Sequence, residues 1–153
     1  MEQIIIGRVS GKEAPYDLLL LADPSREAVD DYLARGACYV ARTGTESIIG
    51  VYVLLRTRPF TVELVNLAVA SAWQGKGYGK QLVLHAIETA RLSGCRVLEL
   101  GTGNSGIRQL ALYQKCGFSI TGIDIDFFRK YYPEKIVENG IECRHMVRLS
   151  LEL

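Results

Sequence analysis

The sequence predicts one α/β domain of the α+β type spanning residues 1–153, a mixed central sheet of about seven strands flanked by about four helices. Three observations carry this expectation. Apolar, β-branched runs are interspersed with stretches of helical apolar spacing. Two of the runs are joined by a short polar turn, in the manner of a hairpin. A glycine-rich turn, Gln74-Gly75-Lys76-Gly77-Tyr78-Gly79-Lys80, stands between a strand pattern and a helix pattern.

In chain order, residues 4–9 read as the first strand, and 17–21 and 25–35 as helices, the second capped by Ser25 with Pro24 before it and Gly36 after it. Residues 37–42 and 48–56 suggest a hairpin turning at Thr43-Gly44-Thr45, and 61–70 form the fourth strand. A helix follows over about 77–94, where Tyr78, Leu82, Ala86 and Ala90 recur on one face with Val83 and Ile87. A strand at 96–100, a helix at about 105–116 and strands at 119–125 and 144–151 complete the order. Between the last two strands, the aromatic and charged segment from Asp126 to Pro133 reads as a short helix stopped by the proline. No repeat, low-complexity tract or linker interrupts the chain.

A glycine-rich turn that opens a helix presents unpaired N–H groups and the positive end of the helix dipole, which makes an anion site. Glycines also let a phosphate approach where Cβ atoms would block it. Spacing chooses among the known phosphate loops. A Walker A pattern read back from Gly79-Lys80 needs glycine where Gln74 stands and Ser or Thr where Gln81 stands. A dinucleotide G-x-G-x-x-G beginning at Gly75 needs glycine at Lys80. The pattern that fits is [RQ]-x-x-G-x-[GA], met by Gln74, Gly77 and Gly79 directly after a strand ending Leu67-Ala68-Val69.

That loop resembles the acetyl-CoA pyrophosphate loop of the GNAT superfamily of acyl-CoA N-acyltransferases. A second stretch, Leu112-Tyr113-Gln114-Lys115-Cys116-Gly117-Phe118, is similar to the superfamily's L-Y-x-x-x-G-F segment, and the helix, strand and helix between the two motifs keep the superfamily's order. The resemblance implies a bacterial-type, single-domain member with a mostly antiparallel sheet. It implies acetyl-CoA as acyl donor, no metal, a small-molecule or peptide amine as acceptor, and room for a homodimer. Carried over residue by residue, the cofactor set is Leu67, Ala68, Val69, Gln74, Gly75, Lys76, Gly77, Tyr78, Gly79 and Lys80, with Asn104 beside it. Two departures stand out: Gly106 and Gln109 occupy positions where the family often has asparagine and alanine, and Ser71 replaces a frequent proline.

A rival reading uses Gly101-Thr102-Gly103-Asn104-Ser105-Gly106, a literal G-x-G-x-x-G after a strand and before a helix, with Asp124 and Asp126 ending the next strand. It looks like the S-adenosylmethionine turn of a Rossmann-type methyltransferase. After Asp126 only 27 residues remain, too few for the further βα units of a doubly wound sheet. A third reading is a non-catalytic acyl-CoA-binding domain that kept the loop.

Composition bounds the partners. A net charge of +1 with no run of lysine or arginine argues against nucleic acid. No signal peptide or membrane span is legible, since the apolar runs at 4–6 and 18–22 are too short. Cys38, Cys95, Cys116 and Cys143 are widely spaced without a C-x-x-C, and read as reduced thiols of a cytoplasmic protein rather than disulfides or metal ligands.

The implied reaction needs a neutral amine, because a free alkylamine near pH 7 is mostly protonated. The site must take a proton from the acceptor and return one to the departing thiolate. By resemblance Tyr113 is the acid. Glu63 is the candidate base, working through a water, with alternation placing residues 63, 65, 67 and 69 on one strand face. Asn66 is an alternative partner for that water or for the cofactor. The backbone of Leu67 and Val69 is expected to hold the pantetheine arm as an added strand, with the Val69 N–H polarising the thioester carbonyl. Asp124, Asp126 and the aromatics Phe127, Phe128, Tyr131 and Tyr132 are expected to wall the acceptor cleft, suited to a cationic amine.

Overall fold

Strand-forming runs rich in valine, isoleucine and leucine build a seven-stranded sheet in this computed structural model, which describes residues 2–44 and 46–153. Thr45, the last residue of the expected hairpin turn, lies outside the described residues. β1 (Ile4–Val9), β2 (Ala37–Thr43), β3 (Ile48–Arg58) and β4 (Thr61–Val69) are successive antiparallel neighbours. β5 (Val97–Gly103) runs parallel to β4, and β6 (Ser119–Asp124) forms the far edge. A small hairpin of β7 (Val137–Glu138) and β8 (Ile141–Glu142) follows, and β9 (Met146–Glu152) returns between β5 and β6.

Helices cover both faces. α1 (Tyr16–Ala22) and α2 (Arg26–Arg35) pack Leu19, Val29 and Leu33 against Val40, Val51 and Val53. As expected, Ser25 caps α2, its Oγ accepting from Ala28 N at 3.1 Å. On the other face α3 (Tyr78–Leu92) and α4 (Ile107–Lys115) bury Leu82, Val83, Ala86 and Tyr113 against Tyr52, Leu64, Leu98 and Leu149. α5 (Phe127–Tyr131) is the short helix foreseen before Pro133.

Two differences from the sequence reading have simple causes. β5 extends to Gly103, three residues further than expected, because β9 pairs with it out to Met146. The β7–β8 hairpin turns at Asn139-Gly140, whose φ angles of 55° and 73° suit this dipeptide. The strands it joins are two residues each, too short to show a period.

The feature that makes the site is an interruption. β4 pairs with β5 only from Thr61↔Val97 to Leu64↔Leu100. At that point β4 also gains a residue against β3: Leu64 faces Leu54 and Asn66 faces Val53, leaving Val65 as a bulge. Beyond it β4 runs on to Val69 with β3 on one side and an open edge on the other. The bulge also changes which residues share a face. Leu67 and Val69 join Val62 and Leu64 on the α3–α4 side, whereas Asn66 and Ala68 turn to α1 and α2. Plain alternation had put Glu63 with Leu67 and Val69; the extra residue moves it to the face of Asn66 and Ala68.

Leu82, fully buried under α3, anchors that layer to the sheet. Leu82→Ala is expected to lower unfolding free energy by about 2–5 kcal/mol in urea titration, with the slope against denaturant unchanged.

Candidate active site

After β4 the chain makes a single turn at Ser71–Trp73, and Gln74 then folds back, its Nε2 donating to the Val69 oxygen at 2.9 Å. Gly75 (φ 74°) and Gly77 (φ 91°) follow in left-handed conformations that residues with a Cβ adopt at a cost. Gly77 caps α3 without a side chain, so the N–H groups of the helix's first turn are left for an external acceptor. This is the physical reason for the glycines: the backbone must turn twice through positive φ and still expose its amides.

The open edge of β4 is donor-rich for a related reason. Ala70 N donates to Ile49 O on the β3 side at 2.8 Å. Strand alternation then turns Leu67 and Val69 to the unpaired side, which agrees with the Val69 oxygen meeting Gln74 there. Between this edge and α4 lies a cleft of about 370 Å³. Leu67, Ala68 and Val69 line it, as do Gln74, Gly75, Gly77, Gly79 and Lys80 of the loop. Tyr113 closes the far wall, and the end of α1 borders the cleft through Leu21 and Ala22.

Tyr113 is 8% exposed and packs edge-on against Phe118 at 6.0 Å. Its hydroxyl has no hydrogen-bond partner among the described residues, and burial pushes its pKa up to about 12. It is therefore held protonated at the cleft wall. Besides Leu21 and Ala22 of α1, the sequence reading did not place Arg108 and Gln109, in the first turn of α4, at the cleft. The signal for Gln109 was available: it stands four residues before Tyr113, on the same helical face.

Several expected members sit elsewhere. The Tyr78 side chain points into the core, its hydroxyl donating to Glu2 O at 3.0 Å, so only its backbone can serve the loop. Lys76 stands over the Trp73 ring. Asn104 is engaged away from the cleft: its Oδ1 accepts from the N–H groups of Arg144 and His145 at 2.8 and 2.9 Å, and its Nδ2 donates to Glu142 O. The carboxamide is spent pinning the approach to β9 and does not reach the cleft.

Glu63 lies on the opposite sheet face, in a second, polar cleft of about 500 Å³ with Glu99, Asp124 and Arg148. Arg148 gives Asp124 two close bonds, at 2.8 and 2.7 Å, and reaches Glu63 only at 3.7 Å. Burial holds the Glu63 carboxyl above its ordinary pKa, Arg148 opposing and Glu99 and Asp124 reinforcing. The acids expected to greet a cationic acceptor are already engaged by the chain's own arginines, Asp124 by Arg148 and Asp126 by Arg144. The histidines are structural: His85 Nδ1 meets the Tyr52 hydroxyl, and His145 Nδ1 accepts from Asp126 N.

The rival methyltransferase turn fails on topology. β5 lies between parallel β4 and antiparallel β9, which is not a doubly wound sheet. Its glycines have a packing explanation. A Cβ on Gly101 would meet Met146 Sδ at 2.7 Å and Arg148 Nη1 at 2.9 Å, and one on Gly103 would meet Cys143 Sγ.

An interrupted parallel pair beside a glycine loop that opens a helix defines an acyl-CoA-binding transferase fold, and the chain belongs to the Acetyltransferase (GNAT) family, whose model matches residues 11–118. Over 138 residues it is 64% identical to the uncharacterised N-acetyltransferase YvbK of Bacillus subtilis strain 168, covering 90% of this chain and 88% of that protein. The solved structure of the IAA acetyltransferase from Bacillus cereus matches with a TM-score of 0.96 at 56% identity, covering 99% of this chain and 100% of that one. A GNAT family acetyltransferase from Elizabethkingia anophelis with acetyl-CoA bound matches with a TM-score of 0.94 at 48% identity, covering 98% of each chain. The protein is an acetyltransferase whose acyl donor is acetyl-CoA. Among the described residues no His, Cys, Asp or Glu group could hold a metal, and no helix is long and apolar enough to cross a membrane.

Gly77→Ala, at an exposed loop position, is expected to weaken CoA binding about tenfold in isothermal titration calorimetry, reflecting a left-handed strain of about 1–2 kcal/mol.

Proposed function

We infer that the protein transfers an acetyl group to an amine acceptor by direct attack in a ternary complex, with Tyr113 as general acid and Glu63 as general base through a water. The observation that carries this reading is the Tyr113 hydroxyl at the cleft wall, across from the unpaired edge at Leu67–Val69. Acetyl-CoA supplies the acetyl group as a thioester. The loop from Gln74 to Lys80 binds phosphates through first-turn N–H groups, with Lys80 and Arg108 adding charge. Leu67 and Val69 bind the pantetheine arm as an added strand, and the Val69 N–H faces the thioester oxygen.

The two sheet faces divide the work. Cofactor loop and acid belong to the α3–α4 side, and Glu63 opens on the other, where the acceptor enters. A carboxyl held above its usual range is a better proton acceptor near neutrality than an ordinary one. The four cysteines are unpaired, in keeping with a reducing cytoplasm.

Tyr113→Phe is expected to lower kcat about 10²-fold with CoA affinity intact, read by thiol release and calorimetry. Because its pKa is pushed up to about 12, Tyr113 stays protonated through the working range, and kcat shows no falling alkaline limb from it below about pH 10. Glu63 must be ionised to act, so activity rises with pH through its elevated pKa; Glu63→Gln lowers kcat and removes that limb from the pH profile. An unchanged profile would assign the base elsewhere.

A further inference from the structure

Arg148 stands near the middle of β9, and Gly101 of β5 is its direct neighbour across the sheet. A side chain at 101 would obstruct it, since a Cβ on Gly101 would meet Arg148 Nη1 at 2.9 Å. The missing Cβ lets the guanidinium lie over β5. Toward β6, Nε and Nη2 both donate to Asp124 Oδ2, at 2.8 and 2.7 Å. Toward β4, Nη1 stands 3.7 Å from Glu63 Oε2. The Phe127 ring centre lies 5.8 Å from Cζ, at the outer reach of a cation–π contact. One side chain thus links carboxylates of β6 and β4 across the two strands between them.

The two links are unequal. At 2.7 Å the Asp124 contact is a charge-assisted hydrogen bond, whereas 3.7 Å is beyond hydrogen-bond reach and still within Coulomb range. A guanidinium closed onto Glu63 would take up its lone pairs; one held off leaves them for a water. No donor among the described residues bonds the Glu63 carboxylate, and its side chain keeps 27% exposure in the polar cleft. The remaining charged groups lining that cleft are Glu99 on β5 and Arg58 at the end of β3, which pair with each other at 3.0 Å. Burial raises the Glu63 pKa, Arg148 lowers it, and Glu99 and Asp124 raise it further. Arg148 is therefore the cation that acts on Glu63.

We propose that Arg148 and Asp124 are positioning residues for Glu63: Asp124 anchors the guanidinium at an offset from which it steadies the Glu63 carboxylate without occupying it. This rests on Glu63 as the general base inferred above. Removing the arginine leaves a half-buried carboxyl between two like charges, so Glu63 holds its proton to higher pH. Removing the Asp124 charge acts in the reverse sense. One like charge is gone, and the guanidinium, held only by a neutral carboxamide, moves toward Glu63. The proton is then lost at lower pH and the lone pairs are engaged. The two substitutions move one titration in opposite directions, which a general loss of packing does not do.

The test uses the full chain with CoA bound and follows glutamate side-chain carboxyls by carbon-13 NMR as pH is varied, the Glu63 signal being identified by its loss in Glu63→Gln. Arg148→Gln is expected to shift the Glu63 titration to higher pH and Asp124→Asn to lower pH. Either variant alone reads the sign should the other fail to fold. In steady-state assays with n-butylamine both lower kcat at pH 7 by about tenfold, part of the roughly 10²–10⁴ that a general base contributes. The rising limb of kcat follows the NMR titration, upward in Arg148→Gln and downward in Asp124→Asn. A Glu63 titration that stays in place in both variants, or moves the same way in both, overturns the proposal and leaves Arg148 only its contact between β9 and β6. The underlying reading fails separately. If wild-type protein releases no thiol with n-butylamine, or Glu63→Gln keeps the wild-type pH profile, the assigned base is wrong for this amine, and the NMR titration still decides whether Arg148 governs the Glu63 carboxyl.

Discussion

A parallel pair of strands can open only where one of them leaves its hydrogen-bond ladder, and here Val65 is where that happens. One added residue bends β4 away from β5 while β3 keeps it in the sheet. The open edge at Leu67–Val69, the cleft beside it and the split of side chains between two faces all follow from this insertion. The cost falls on two strands that would otherwise share their amides. It is tolerable because the edge faces an open cleft rather than a closed core, so its N–H groups are available to water or ligand.

The loop after β4 solves a complementary problem, that of leaving the main-chain amides at the start of α3 exposed. Gly75 and Gly77 turn the main chain through left-handed conformations, and Gln74 ties the loop to the strand it left. The aromatic pair Trp73–Tyr78, at 5.6 Å, seats the start of α3 on the core. A rigid strand end and a rigid helix start thereby fix the geometry of exposed amides between them.

How much of this was legible depended on how local the cause was. The glycine loop and the Leu112–Phe118 segment write their conformational demands directly into residue type, and the element order between them followed. Asn104 is instructive: a residue of the right type at a nearby offset, with its carboxamide committed to the backbone at Glu142, Arg144 and His145. The bulge at Val65 was invisible because Leu64-Val65-Asn66-Leu67 satisfies either parity, and a one-residue shift reverses every face that follows. The Asp23–Tyr132 contact, 109 residues apart in sequence, exists only once the α1–α2 turn and the α5 segment meet. Charge pairing carried the same lesson, since Asp124 and Asp126 looked available until Arg148 and Arg144 were seen beside them.

The loop at Gln74–Lys80 and the edge of β4 are suited to grip the body of the donor, and little of that grip is directed at the acetyl group itself. Binding of this kind is uniform: it is the same before and after the acyl group has left. Spent CoA is therefore expected to compete with fresh donor on nearly equal terms. An enzyme built this way reads the cellular ratio of acetyl-CoA to free CoA, and its output follows that ratio more closely than the absolute level of either.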